Sequence, residues 1–111
     1  FLHPYGSWAD RVAILRFVQD IPMTGDHPSW ETLRQVEQGL AGLKRKPMLI
    51  CWGGRDFCFT DRFYREWQQR FPEAAACYFP DAGHYLLEDD FAGVMERVKD
   101  FLASLGMDIN G

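Results

Sequence analysis

Asp56 and His84 are the two residues of this 111-residue chain whose type and setting best suit chemistry. Asp56 stands in GGRDF, four residues past the end of the apolar run PMLICW, and His84 stands in PDAGH, five residues past the end of AAACYF. A carboxylate beside an imidazole selects one ring tautomer and stabilises the charged ring. That is two-thirds of a nucleophile-His-acid triad. Each residue also has a plainer use. Asp56 can close an Asx turn behind two glycines, and His84 can enter a helix without doing any proton chemistry.

The chemical reading requires the two apolar runs to be neighbouring parallel strands. Such strands lie about 4.8 Å apart, so loops leaving the same end bring their side chains within reach. In open parallel sheets, ligands gather outside the carboxyl ends of the strands. Gly53 and Gly83 are predicted to permit the tight turns that push the next polar side chain outward.

The surrounding pattern supplies those strands. PMLICW, residues 47–52, is a continuous apolar run opened by Pro47 and closed by Gly53 and Gly54, too short for an ordinary helix. It reads as a strand buried on both faces, as in a parallel sheet. AAACYF, residues 74–79, reads as a second strand. Between them Thr60 or Asp61 caps a helix carrying Phe63, Tyr64, Trp67 and Phe71, stopped by Pro72. After them Phe91, Val94, Met95, Val98, Phe101 and Leu102 draw a helical stripe ending near Gly106. Strand, helix, strand, helix is the right-handed parallel unit. Two helices precede it: one over 7–19 capped by Ser7, with Val12, Leu15 and Val18 in phase, and one from Ser29 to about residue 44. Gly39 and Gly42 weaken the end of the second.

PMLICWGGRDFCF followed by FPEAAACYFPDAGHYLLEDD resembles the C-terminal part of an α/β-hydrolase. More narrowly it is similar to the branch that holds haloalkane dehalogenases and epoxide hydrolases. The resemblance is close over residues 47–104 and weaker over the PY and DIP segments before them. It implies an α/β fold: two parallel strands with flanking helices, preceded by two helices. Residues 1–46 would join the lid to the last strands, and 47–111 would be the C-terminal unit of the core. It also implies that Asp56 is the triad acid and His84 the triad base, and that the intact enzyme hydrolyses a small molecule such as an ester, epoxide, haloalkane or lactone.

One departure matters more than the match. The family's nucleophile sits in G-x-S-x-G or G-x-D-x-G, ahead of the acid, and neither motif occurs here. Ser7, Ser29 and Ser104 lie in other settings. A triad without its nucleophile keeps only residual rate effects, so the chain is expected to be inactive by itself. Its expected partner is a missing N-terminal portion, or another copy joined through the open sheet edge, whose neighbouring strand is at most hinted at near residues 1–4. The alternative is a non-catalytic, self-associating α/β module.

Composition narrows the remaining classes. A net charge of −4 argues against nucleic-acid or anionic-membrane partners. Lys44, Arg45 and Lys46 are read as complementing a helix end. Every apolar run falls far below the roughly 18 residues of a membrane span. Cys51, Cys58 and Cys77 cannot all pair within one chain, which favours a reducing, cytoplasmic setting. No cofactor is expected, and no metal: Cys51, Cys58, Cys77 and His84 include no C-x-x-C pair. Glu88, Asp89 and Asp90 are read as favouring the start of the last helix. Trp52 and Phe57 are read as core, and Cys58 as packing rather than as a nucleophile.

Overall fold

The structure, a computed structural model, describes residues 4–107. The hinted strand near residues 1–4 falls outside them except for Pro4, which lies in a turn. The chain divides into two compact units, residues 1–43 and 44–111.

In the first unit, Ser7 and Asp10 satisfy one another. The Asp10 N–H donates to Ser7 Oγ at 3.3 Å, and the Asp10 carboxylate accepts from the Ser7 N–H at 2.9 Å and its hydroxyl at 2.7 Å. This reciprocal cap precedes a short 3-10 turn, Ala9–Arg11, and helix α1, Val12–Gln19. Helix α2 spans Trp30–Gly39 and tightens into a 3-10 turn at Leu40–Leu43. It ends earlier than its apolar spacing predicts, at the glycine that weakens it, and Lys44 to Lys46 follow outside it. The Ser29 side chain makes no capping bond. Its N–H instead donates to His27 Nδ1 at 3.1 Å.

The second unit is the predicted alternation. Strand β1, Leu49–Gly53, pairs in parallel with β2, Ala75–Phe79, in the register Cys51 to Cys77 and Gly53 to Phe79. Helix α3, Asp61–Arg70, lies between them in sequence. A one-turn helix, α4, Leu86–Asp89, leads into α5, Phe91–Ser104. The α3 side chain Tyr64 stacks between Trp52 of β1 and Tyr78 of β2, at centroid distances of 5.8 and 5.4 Å. Tyr78 closes that face by donating its hydroxyl to Asp61 at 2.9 Å. This also raises the phenol pKa, chiefly through the same bond. Helix α5 lies against β1.

Among the described residues, the buried apolar side chains are Ile50, Phe71, Ala82 and Val94, all in this unit. Burial on both sheet faces is not realised, however. In β1, for which it was predicted, Ile50 and Gly53 are buried and Leu49, Cys51 and Trp52 half-buried, while Ala75, Ala76 and Tyr78 of β2 are exposed. Among the described residues the sheet has two strands, so each is an edge. No helix among the described residues is long and apolar enough to cross a membrane.

Candidate functional site

The parallel register brings the two carboxyl ends side by side, and the hydrogen-bond ladder continues into the loops. Gly54 donates to the Phe79 carbonyl at 2.8 Å and Arg55 to the Ala82 carbonyl at 2.9 Å. An exposed Arg55–Asp81 ion pair spans the same loops. Of Gly53 and Gly83, Gly53 is needed here, though not for the predicted reason. Neither has a positive φ. A Cβ on Gly53 would run into the carbonyl oxygens of Ala82 and Gly83, so the glycine permits close approach of two backbones.

Asp56 and His84 meet across this junction. His84 Nδ1 lies 3.1 Å from both Asp56 Oδ1 and Oδ2. The Asp56 side chain is 11% exposed and the imidazole 30%. The carboxylate is anchored independently of the ring, because Oδ1 accepts from the N–H groups of Cys58 and Phe59, each at 2.8 Å. Burial would by itself raise the Asp56 pKa. The Phe59 and Cys58 N–H groups, with the bond and charge of His84, outweigh burial and hold the carboxyl below its ordinary value. An ionised carboxylate can only accept, so Nδ1–H donates to Asp56, and in the neutral ring Nε2 keeps its lone pair. The plain Asx turn and the chemical arrangement therefore coexist at Asp56, with the turn setting the carboxylate that the ring uses.

Three rings surround the imidazole. Phe57 and Phe59 lie with centroids 5.6 Å from it and Tyr85 at 5.4 Å. Phe57 is 82% exposed, which corrects its reading as core. It projects from the Asp56 loop with its ring beside His84. Trp52 is half-buried, and its indole N–H holds the loop by donating to the Phe59 carbonyl at 3.1 Å. Cys58 is exposed rather than packed, and among the described residues its sulfur makes no hydrogen bond to His84. Burial, with Cys77 beside it, pushes the Cys51 thiol pKa up, which disfavours the reactive thiolate. No group of three His, Cys, Asp or Glu among the described residues is placed to hold a metal ion.

The acidic cluster divides its work. Asp90 caps α5, accepting from the Gly93 N–H at 2.9 Å. Asp89 instead turns back to accept from the Gly83 N–H at 2.7 Å. Sequence reasoning missed that role. The only signal for it was a carboxylate five residues after the histidine.

No protein-family model matches the chain. Among curated proteins it is 37% identical over 102 residues to a cis-3-alkyl-4-alkyloxetan-2-one decarboxylase of Shewanella oneidensis, covering 92% of this chain and 32% of that protein. It is 34% identical over 102 residues to the protein of the same name from Xanthomonas campestris pv. campestris, covering 92% of this chain and 34% of that one. The chain thus spans about a third of the length of the curated relatives it matches. These matches support a hydrolase-like relationship without favouring the dehalogenase or epoxide hydrolase branch.

Proposed function

We propose that this chain is the C-terminal part of an α/β-hydrolase-like enzyme, contributing the acid Asp56 and the base His84 to a nucleophile or water held by residues outside it. One observation carries the reading: an anchored, ionised carboxylate facing Nδ1 of an imidazole at the ends of two parallel strands. With Nδ1–H directed at Asp56, Nε2 is the atom that takes a proton, and the Asp56 charge stabilises the imidazolium that results. The G-x-S-x-G or G-x-D-x-G turn would come from the N-terminal portion, which would also cover the open sheet edge.

The relatives' name, cis-3-alkyl-4-alkyloxetan-2-one decarboxylase, supports a four-membered lactone bearing alkyl groups as the substrate class and loss of carbon dioxide as the outcome. The apolar rings of Phe57, Phe59 and Tyr85 suit alkyl substituents beside the base. The exposed edge and aromatics also fit the second reading, a self-associating module without catalysis.

A chimera separates the two readings. The matching 102 residues of the Shewanella relative would be replaced by this chain and assayed for carbon dioxide release from a cis-3-alkyl-4-alkyloxetan-2-one. Turnover supports the enzymatic reading. A folded chimera without turnover overturns it.

A further inference from the structure

We infer that Asp89 is a positioning residue for His84, an inference that rests on His84 being the base. The peptide group joining Ala82 to Gly83 lies one peptide before the group that enters His84, and both of its polar atoms are held. Its oxygen accepts from the Arg55 N–H at 2.9 Å, and its N–H donates to Asp89 Oδ2 at 2.7 Å. Arg55 is the neighbour of Asp56 in sequence. A single peptide plane is therefore gripped on one side by the loop that carries the acid and on the other by the one-turn helix that follows the base. Rotation of that plane changes the direction in which His84 leaves the backbone. A displacement of about 1 Å at a catalytic group is enough to cost roughly a hundredfold in rate.

The grip is specific to Asp89. Its bond to Gly83 is charge-assisted. Its own backbone is fixed because the Glu88 and Asp89 N–H groups both donate to the Tyr85 carbonyl, at 2.8 and 3.0 Å. A Cβ at position 83 would sit 3.3 Å from Asp89 Oδ2, so the carboxylate would have to give by a few tenths of an ångström to admit it. The neighbouring carboxylates do other things. Asp90 caps α5, and among the described residues the Glu88 carboxylate makes no hydrogen bond.

The test uses the 111-residue chain with 15N-labelled histidine, with His84 assigned through His84→Gln. Ring nitrogen shifts report the His84 tautomer, and amide exchange reports the Gly83 N–H. Asp89→Ala should release His84 to the tautomer mixture of a free imidazole, as Asp56→Ala does, and speed Gly83 exchange about ten- to a hundredfold. Asp89→Asn, whose amide oxygen can still accept, and Glu88→Ala should both keep the wild-type pattern. Unchanged His84 shifts and Gly83 exchange in Asp89→Ala overturn the inference while leaving the Asp56–His84 pair intact. If Asp56→Ala also leaves His84 unchanged, the reading of the pair falls, and the role of Asp89 falls with it. Should Asp89→Ala fail to fold, the wild-type chain decides: Gly83 exchanging as fast as an unstructured glycine overturns the inference, and protection upholds it.

Discussion

Asp56 and His84 join residues 28 positions apart through the ends of two strands, whereas Asp20 and His27 close the short connection between α1 and α2. Both are carboxylate–imidazole pairs, yet they are built in opposite ways. In the first, the carboxylate is sheltered at 11% exposed, anchored by two backbone N–H groups, and in hydrogen-bond contact with Nδ1. In the second, the carboxylate is 79% exposed and stands 3.7 Å from His27 Nε2, beyond good hydrogen-bond length. The free lone pair differs as well. His27 Nδ1 already accepts from the Ser29 N–H, so its remaining nitrogen carries a proton and has none to take. The proposed base needs an accepting nitrogen with an acid fixed behind it, an arrangement the first pair has in its neutral ring and the second lacks.

The largest expected effect tests that difference directly. In the chimeric enzyme, His84→Ala should lower kcat by about a thousandfold or more, while His27→Ala should leave it within about twofold. Similar losses at both sites would erase the comparison.

Next comes the junction that brings the pair together. Gly53→Ala forces a methyl group against the carbonyls of Ala82 and Gly83 and should destabilise the chain by about 1–3 kcal/mol in urea unfolding. Gly39→Ala, at the end of α2 where an added Cβ meets nothing within 4 Å, should instead stabilise by roughly 0.5 kcal/mol. Equal responses would mean that the close approach at Gly53 is unimportant.

Acid separates the pairs further. The folded Asp56 pKa lies below its ordinary value. Its contribution to stability is therefore fully present above the ordinary carboxyl range near 3.9. It is lost as pH falls through the lowered folded value. The difference in urea midpoint between wild type and Asp56→Asn should hold from pH 7 to 5 and shrink below about pH 4. A difference of the same size at pH 3 and pH 7 would count against it. The smallest effect is expected at Asp20→Asn, within about 0.5 kcal/mol at neutral pH, because that carboxylate is solvated.

Much of the second unit is legible in the sequence. The strands around Ile50 and Cys77 begin and end within two residues of their apolar runs. The stripe from Phe91 to Leu102 forms one helix, as its spacing predicts. The first unit was legible in its elements and not in its packing. Val12, Leu15 and Val18 are in phase, yet all remain more than 40% exposed. Periodicity reports which side of a helix is apolar and says nothing about what covers it.

At the site the division is sharper. Residue type and spacing singled out Asp56 and His84, and the missing nucleophile motif followed from the chain alone, because motifs and strand period are local properties. Several features depended on the Gly53–Phe79 register. They include the 3.1 Å contact and the steric rather than torsional need for Gly53. Each depends on distances between segments far apart in the chain. Such distances are set by how strands pair and loops pack against one another, and no local preference encodes them.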